Sequence, residues 1–566
     1  MKTRQRPFVL KPYAAELTGW RRALAWAATP ILVLICLVGG FFYALTTPYL
    51  IPQFAAPLVI LGLIVVWALP DFKSAPTGLL GKLFFAFLIA VLLWPNYLAI
   101  VPPGLPWITA IRLIGFPLTF ILLICISVSP EFRAKLAEVL TSVPYLWKLV
   151  VIFICIQVVS IVFSKHVGDS INALVETQVS WTVMFFVACY VFTRPGAAER
   201  WAAIMWVSAI ILCFIGIEEA REEHVPWAGH IPSFLQVQDE YVSRVLQGAR
   251  RLGTDEYRVQ GTHSTSLGFA EYLALTTPFV IHFMMGKYPP WVKVAAALSI
   301  PFIFYTIYKT GARLGMVGFF IAALLYTLCW GVMRWRQVRG SLIGPTVVLA
   351  YPAFFCAFIA ATFFVQRLHN MVWGGSNTSY SNEGRMDQVA AGMPKIISHP
   401  WGYGIGQGAE ALDYHNLAGV LTIDTYYLLV ALDYGVVGFL VYFAAIIVVI
   451  VQCAKYGLVV APKERERTFL IPLGISLSAF FIIKSIFSQT ENHTLQFMMM
   501  GMALALIYRI KTQPEVAEDP ASVPVAAGSR LRMAGRLAAA RSGAQGAIQA
   551  GGPRSSRKPA RHPERA

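Results

Sequence analysis

The sequence predicts an all-α, polytopic integral membrane protein with about fourteen transmembrane helices (about 12–14). Three observations predict it: 57% of the 566 residues are hydrophobic, only 13% are charged, and the mean hydropathy is +0.62. A soluble chain of this length has too little core to bury so much apolar surface. Nearly uncharged runs such as Ile31–Leu45, Leu83–Leu93 and Val437–Val451 are typical of helices that cross the hydrocarbon. A large soluble helical protein is therefore excluded.

Apolar segments follow one another along the chain, separated by Pro, Gly and charged clusters. The predicted spans lie near 24–45, 50–69, 83–101, 106–127, 148–164, 176–193, 201–217, 264–286, 291–308, 313–333, 341–365, 425–452, 469–487 and 495–510. They define a transmembrane domain over 24–510, after an N-terminal segment over 1–23. The tail over 511–566 is basic and poor in aromatic residues, a composition that predicts disorder.

The net charge of +17 is distributed in a way that orients the chain rather than binds nucleic acid. Basic residues concentrate before the first span, in alternate short loops and in the tail, which places both termini in the cytoplasm. Two long polar segments, 218–263 and 366–424, then lie on the outer side of the membrane. Loops of this length usually carry function.

Cysteine and histidine usage gives no sign of a structural metal or a disulfide framework. All eight cysteines fall inside or at the edge of apolar spans, where core packing is their ordinary role. No His, Cys and Glu residues have the spacing of metal ligands, and there is no nucleotide-binding motif. We therefore expect neither a metal nor a cofactor.

The turn between the ninth and tenth predicted spans carries two cations, Lys309 and Arg313. They are four residues apart, a spacing that places both on one face of a helix. The adjacent helix N-terminus adds partial positive charge and backbone N–H groups. A cationic pocket at the outer membrane surface suits an anion such as a lipid pyrophosphate. The alternative is that both side chains snorkel to lipid phosphates, and this pair alone does not decide between the two.

Further motifs follow one another in a recognisable order. Residues 257–272 read YRVQGTHSTSLGFAEY, residues 310–315 read TGARLG, and residues 384–408 contain GRMDQ and SHPWGYGIGQG. A DTYYL step begins at Asp424, and residues 432–438 read LDYGVVG. Together, over roughly residues 250–445, these motifs resemble the O-antigen ligase and polysaccharide polymerase superfamily.

The resemblance implies an enzyme of the bacterial inner membrane, a glycosyltransferase that takes glycan from an undecaprenyl-pyrophosphate donor. Transfer takes place at the periplasmic face, so the two long outward segments are periplasmic loops. Arg313 matches the arginine of the family's T-x-S-R turn and Arg258 the arginine that precedes its G-T pair, which assigns both to the pyrophosphate. Lys309 and Arg385 are further candidates for the same anion.

The alternative for Arg385 is a solvated charge on an amphipathic helix that lies at the membrane interface. The apolar stripe of that helix would consist of Met386, Val389, Met393, Ile396 and Ile397.

The acceptor hydroxyl needs a general base or an orienting acceptor. Ligases of the family place a His in an H-N step, and the matching position here is Asp424, with His415 nearby. Both remain candidates, Asp424 first. This departure favours a polymerase that joins lipid-linked repeat units into exopolysaccharide or O-antigen. A ligase that transfers glycan to lipid A-core or protein is the alternative within the family. A transporter of polysaccharide or lipid-linked glycan is the alternative outside it.

Acidic and basic residues inside predicted spans are costly and indicate function or pairing. Glu271 is a catalytic candidate for this reason, with Arg112 as the expected partner. Asp433 and Lys484 are expected to pair with each other in a structural role.

The second outer segment also contains a candidate glycan-binding loop, with His399, Gly404 and Gly406. Glycine there allows the loop to approach the substrate closely. The expected partners are the lipid-linked glycan, membrane lipids and other polysaccharide assembly proteins, such as a flippase or a chain-length regulator.

Overall fold

The protein is an all-α bundle of apolar helices in the computed structural model. The structure describes residues 51–72, 75–102, 107–250, 256–338, 340–366, 379–415, 421–459 and 465–512, with the single positions 34, 38, 369 and 419. The predicted N-terminal segment, first span and basic tail therefore lie almost entirely outside the described residues.

Helices provide nearly all of the regular structure, and many begin or end where Pro, Gly or charged residues interrupt an apolar run. Up to residue 250 they are α1 (Ile51–Trp67), α2 (Thr77–Leu93), α3 (Ala110–Val128), α4 (Pro130–Thr141), α5 (Pro144–Ser160), α6 (Val167–Thr177), α7 (Val183–Val191), α8 (Ala197–Glu222) and α9 (Glu240–Leu246). They continue as α10 (Ser266–Met285), α11 (Pro290–Lys309), α12 (Arg313–Gln337), α13 (Ile343–Phe364), α14 (Ser379–Ser398), α15 (Gly408–Leu412), α16 (Tyr426–Gly457), α17 (Leu470–Ile483) and α18 (His493–Thr512). Short 3-10 turns lie at Ile161–Phe163, Ser233–Leu235 and Glu466–Phe469, and a π-helical turn at Gln178–Thr182 joins α6 to α7.

Ten helical segments in the described part of the chain are long and apolar enough to cross a membrane. They are Ala110–Val128, Pro144–Phe163, Val167–Val191, Ala197–Glu222, Ser266–Met285, Pro290–Lys309, Arg313–Gln337, Ile343–Phe364, Tyr426–Gly457 and Glu466–Ile483. These segments confirm a polytopic helical membrane protein.

The count of fourteen spans stays a prediction. The predicted spans at 50–69 and 83–101 correspond to α1 and α2, which have 17 residues each. The span at 495–510 corresponds to α18, whose polar first turn and basic last turn lower its hydropathy.

α2 ends eight residues before the predicted boundary at 101, because Pro95 lacks a backbone N–H and disfavours helical backbone in the residue before it. The chain after it forms the antiparallel pair β1 (Ala99–Ile100) and β2 (Ile108–Thr109). A second antiparallel pair, β3 (Ala249–Arg250) and β4 (Tyr257–Arg258), lies in the first long polar segment.

Helix α10 lies at the centre of the bundle. In the most apolar stretch of 18 residues of this helix, 89% of the residues are buried. Helix α13 is the opposite case. Only 6% of the residues in the corresponding stretch of this helix are buried, so its apolar side chains face outward. A helix that is hydrophobic all round and surrounded by neighbours belongs to the core, whereas one with exposed apolar residues is suited to contact with lipid.

Polar contacts join the segments that were predicted to lie on the outer side. Ser170 Oγ donates to the carbonyl oxygen of Ile405 at 2.8 Å. Thr262 Oγ1 donates to the carbonyl oxygen of Leu92 at 3.0 Å, at the end of α2. Both long polar segments therefore contact helix ends that share their predicted side.

Segments predicted to lie on the cytoplasmic side also contact one another. Arg509 pairs with Glu466 at 2.6 Å, and Arg133 pairs with Asp71 at 3.2 Å. In each of these four contacts, the two partners come from segments that were predicted to lie on the same side.

Helix α16 is broken at Gly435, which has φ 71° and ψ −175°. The break separates a short segment, 426–434, from a stretch of membrane-spanning length, 436–457. The loop over 399–408 packs into the break, since Val436 N donates to Pro400 O at 3.0 Å and Tyr403 N donates to Leu432 O at 2.7 Å. A Cβ atom at position 435 would overlap the Pro400 carbonyl, so the site requires glycine.

Candidate functional site

The predicted cationic turn lies between two helices rather than within one. Lys309 is the last residue of α11, Arg313 is the first of α12, and Gly311 between them has φ +63°. The prediction that Lys309 and Arg313 share one helix face is therefore wrong, because the chain reverses at Gly311. Helix α12 starts without a side-chain cap, so the partial positive charge of its N-terminus is directed at this turn.

Strand β4 brings Arg258 to the same turn. Arg258 Nε donates to the carbonyl oxygen of Thr310 at 2.9 Å, and Val259 N donates to that of Lys309 at 3.3 Å. A Cβ atom on Gly311 would lie 3.2 Å from Arg258 Nε. Arg258 thus contacts the turn from which Arg313 begins α12, and the two guanidinium groups come from separate segments.

The buried carboxylate of Glu219, near the end of α8, holds the segment that carries Arg258. Glu219 Oε1 accepts hydrogen bonds from Tyr257 OH at 2.9 Å and from Gln260 N at 3.0 Å, and Oε2 accepts one from Gly261 N at 2.7 Å. Sequence reasoning missed this residue. The available signal was an acidic side chain at the end of an otherwise apolar span.

A buried ion pair joins α10 to the segment between α17 and α18. Lys484 Nζ lies 2.9 Å from both carboxylate oxygens of Glu271, and neither side chain has any exposure to solvent. Asn492 Nδ2 donates to the same carboxylate at 3.1 Å and to the carbonyl oxygen of Gly268 at 2.9 Å. Such close pairing offsets the cost of placing charge in a low-dielectric interior.

Arg112, the expected partner of Glu271, is engaged elsewhere. It lies in the first turn of α3, where its side chain contacts Glu176 at 2.9 Å and Asn172 at 3.3 Å. The expected pairing was therefore wrong, and a lysine in the thirteenth predicted span takes its place.

The expected pair between Asp433 and Lys484 is also wrong. Asp433 Oδ1 accepts a hydrogen bond from Gly408 N at 2.6 Å, so this carboxylate fixes the glycine-rich loop to α16. Gly404 and Gly406 both have positive φ, 109° and 78°. A Cβ on Gly404 would press on the backbone of Ser164, so this glycine is explained by packing within the protein.

Glu491 ties the first motif to the turn before α18. Both the backbone N and the Oγ of Ser264 donate to Glu491 Oε1, the former at 2.9 Å. The neighbouring His263 is 7% exposed and stacks on Phe269 and Tyr272, with ring centroids 5.5 and 5.7 Å away. Burial lowers the pKa of His263 below its usual value, so its imidazole is neutral at neutral pH.

Apolar packing places the arginine turn against the buried ion pair. Ala312 belongs to a cluster with Ala270, Ile483 and Phe487. Because Ala270 precedes Glu271 and Ile483 precedes Lys484, the start of α12 lies directly beside the segments that carry both charges.

Asp424 and Arg385 lie close to each other in the second long segment. Asp424 N donates to Gln388 Oε1 at 2.9 Å, which links the start of α16 to α14. Burial lowers the pKa of the Arg385 guanidinium, and the nearby Asp424 carboxylate opposes that shift. Two residues after Asp424, the ring of Tyr426 has its centroid 5.5 Å from Lys484 Nζ. The start of α16, two residues after Asp424, therefore lies beside the buried ion pair.

The two loop histidines make contacts within their own loops. His415 has a side chain 53% exposed and lies 3.8 Å from Asp413. His399 Nδ1 lies 2.9 Å from Tyr403 OH. Neither of these contacts brings a histidine close to Arg258.

A cavity of about 430 Å³ is lined mainly by residues of the first long segment. Its lining includes Leu98, Gln236, Gln238, Asp239 and Ser243. In the part of the chain that the structure describes, no three His, Cys, Asp or Glu side chains are grouped to hold a metal ion.

These observations define a multi-pass, all-α membrane protein with arginine, lysine and carboxylate side chains gathered at one end of its bundle. Residues 296–443 match the family model described as O-antigen ligase (Wzy_C). The match confirms the resemblance to the O-antigen ligase and polymerase superfamily, and its range contains the Thr310–Arg313 turn, α14 and most of α16. No curated protein matches this chain.

Proposed function

We propose that this protein is a membrane glycosyltransferase that polymerises undecaprenyl-pyrophosphate-linked oligosaccharide units at the periplasmic face of a bacterial inner membrane. The match to the O-antigen ligase family supports glycan transfer as the general activity. The aspartate at position 424, where family ligases carry a histidine, favours polymerisation over ligation.

The observation that carries the proposal is the meeting of Arg258 with the turn that precedes Arg313. Arg258 Nε contacts Thr310 O at 2.9 Å, and α12 begins at Arg313 with an uncapped N-terminus. Two guanidinium groups beside a helix N-terminus form a site for a diphosphate, which accepts charge-assisted, bidentate hydrogen bonds from arginine. Lys309, at the end of α11, adds a third positive charge.

The reaction exchanges one bond of the anomeric carbon for another. The acceptor hydroxyl oxygen forms a bond to that carbon while the bond from the carbon to the pyrophosphate oxygen breaks. The electron pair of the broken bond leaves with the lipid pyrophosphate, whose developing charge Arg258 and Arg313 stabilise. The hydroxyl proton passes to a carboxylate, for which Asp424 is the candidate.

Asp424 is preferred to His415 because it lies near the Arg385 guanidinium. Its backbone is held by Gln388, and the ring of Tyr426, two residues later, has its centroid 5.5 Å from Lys484 Nζ. Glu271 forms a buried ion pair with Lys484 and accepts a hydrogen bond from Asn492, so we assign it to positioning rather than proton transfer.

The test is a deletion strain that carries Arg313→Ala, Asp424→Asn or the control Arg334→Ala. Arg334 is an exposed cation in the last turn of the same helix, α12, at the opposite end from Arg313. We expect Arg313→Ala and Asp424→Asn to reduce glycan chains to single repeat units, whereas Arg334→Ala leaves long chains.

The form of the accumulated glycan distinguishes the alternatives. Long polymer that stays on its lipid carrier would indicate a ligase. Repeat units trapped on the cytoplasmic side would indicate a transporter. Normal glycan in both site variants would contradict glycan transfer by this site.

A further inference from the structure

Helix α14 has one face that packs on the protein. Gln388 is fully buried, a Cβ on Gly392 would press on Leu428, and Ile396 is 9% exposed. Ile396 belongs to an apolar cluster with residues of α15 and α16. The predicted assignment of Ile396 to an outward apolar stripe was wrong, because 100° of helical rotation separates it from Ile397.

A second face of α14 is apolar and exposed. Met386, Val389, Met393 and Ile397 recur at intervals of three and four residues, and their exposed fractions are 71%, 40%, 49% and 74%. This spacing aligns the four side chains along one stripe of the helix. Water is an unfavourable neighbour for so much contiguous apolar surface.

The third face of α14 is exposed and more polar, with Asp387, Pro394 and Ser398. These residues lie between the apolar stripe and the protein-facing side on the helical projection. A helix with one side on protein, one apolar side and one polar side has three different neighbours. The polar face is suited to water, and the apolar face is suited to a medium without water.

We infer that α14 lies in the plane of the membrane's outer interface, with the stripe of Met386, Val389, Met393 and Ile397 inserted among the lipids of the outer leaflet. The inference rests on the membrane-spanning character of the chain and on the surface of α14, and it does not require the proposed glycan transfer. Interfacial helices of this type bury their apolar face about 5–10 Å into the boundary between headgroups and acyl chains.

Continuity with the lipid-facing surface of the bundle identifies lipid as the occupant. The stripe leads from Ile397 to Trp401, which is 64% exposed, and tryptophan is enriched at membrane interfaces. Pro400 O accepts a hydrogen bond from Val436 N, at the point where α16 begins its membrane-length stretch. Val436 and Leu440 of that stretch are 42% and 59% exposed. The apolar surface of α14 therefore continues onto the outer part of a membrane span.

This placement fixes the height of Arg385 relative to the bilayer. Arg385 precedes the first residue of the stripe, and it is half-buried near Asp424. A helix anchored in the headgroup layer holds this guanidinium at the level of lipid phosphates. A pyrophosphate attached to a membrane lipid would lie at the same depth.

The experiment measures the surroundings of single α14 side chains in the full-length protein. A noncanonical amino acid that accepts a spin label is placed at Met393 or Ile397, and at Asp387 or Ser398 as the matched control. Each protein is reconstituted in nanodiscs of phosphatidylethanolamine and phosphatidylglycerol. Relaxation by oxygen, which concentrates in lipid, is compared with relaxation by a water-soluble nickel chelate.

At positions 393 and 397 we expect relaxation by oxygen to exceed relaxation by nickel several-fold, with the order reversed at 387 and 398. Equal nickel access at all four positions would show that α14 stands in water and would overturn the inference. Weak relaxation by both reagents at 393 and 397 would show protein on this face and would also overturn it. A variant that fails to yield labelled, monodisperse protein is replaced by the second position on the same face.

Discussion

Individual charged side chains hold loops and helices together in this membrane protein. Glu271 and Lys484 have no solvent exposure, and their contacts of 2.9 Å join α10 to the turn before α18. Glu219, Glu491 and Asp433 each accept hydrogen bonds from backbone N–H groups of a loop. Each of these acidic residues therefore fixes a loop at the end of the bundle that carries Arg258 and Arg313.

Removing both members of the buried ion pair should cost less stability than the two single removals added together. Lys484→Met or Glu271→Gln alone leaves an uncompensated group in the interior, which costs about 3–5 kcal/mol. The double variant leaves no buried charge, so its loss of stability should be smaller than the sum of the two single losses. The measurement is thermal unfolding of the purified proteins in detergent. Additive losses would show that the pair does not act as a unit.

The hydrogen bonds of Glu219 predict a distinct effect on Arg258. Glu219→Gln keeps the side-chain volume but replaces one carboxylate oxygen with a donor, which cannot accept from a backbone N–H. We expect reduced glycan chain length with the protein still inserted and folded. Glu218→Gln is the matched control, since Glu218 is 53% exposed and pairs only with Arg221 among the described residues. Equal effects of the two substitutions would contradict the role of Glu219.

Glycines at turns and breaks determine how the elements meet. Gly311 reverses the chain between α11 and α12 with φ +63°, and Gly435 breaks α16 with φ 71°. Both positions lie in or beside segments that were recognised as motifs. Their backbone conformation explains why the segments contain glycine, and it brings Arg258 to the Arg313 turn and the 399–408 loop to α16.

Gly311→Ala should reduce activity by displacing Arg258. The substitution places a side chain at positive φ, which costs about 1–3 kcal/mol, and its Cβ would lie 3.2 Å from Arg258 Nε. Gly196→Ala is the control, because Gly196 has φ +81° and no atoms within 4 Å of the added Cβ. The two variants should lose similar stability in thermal unfolding, but only Gly311→Ala should shorten glycan chains. Unchanged chains in Gly311→Ala would contradict the assignment.

Gly435→Ala should release the loop over 399–408. The added Cβ overlaps the Pro400 carbonyl. The two hydrogen bonds from Val436 N to Pro400 O and from Tyr403 N to Leu432 O therefore cannot both form. Hydrogen exchange of peptides that cover 399–408 should accelerate, whereas peptides of α10 should stay protected. Unchanged protection of the loop would show that the break does not depend on glycine.

At the scale of the whole molecule, hydropathy and charge were sufficient to predict a polytopic helical membrane protein. Apolar runs mark helices directly, because a membrane span must satisfy its own backbone hydrogen bonds. The partner of Glu271 could not be predicted in the same way. Lys484 is 213 positions away in sequence, and nothing local distinguishes it from Arg112 as a partner. Pairing between helices depends on how the bundle packs, which composition does not specify.

Short sequence motifs predicted part of the site, because each motif reflects the local backbone geometry of its segment. The association of Arg258 with the Thr310–Arg313 turn agrees with the order of the motifs. The placement of Lys309 and Arg313 on one helix face was wrong. A spacing of four residues assumes a continuous helix, whereas the chain turns at Gly311 between the two residues. Glu219 was missed since its role depends on contacts with a segment about forty positions later in sequence.

The central claim is that Arg258 and Arg313 hold a lipid diphosphate as it leaves the sugar. The most direct measurement uses purified protein in proteoliposomes with the lipid-linked repeat unit extracted from the deletion strain, and follows release of lipid pyrophosphate. We predict that Arg313→Ala lowers the rate about a hundred- to a thousand-fold, as expected when a preorganised donor to a developing charge is removed. The control Arg334→Ala should keep the wild-type rate. A rate for Arg313→Ala equal to that of wild type and Arg334→Ala would contradict the claim.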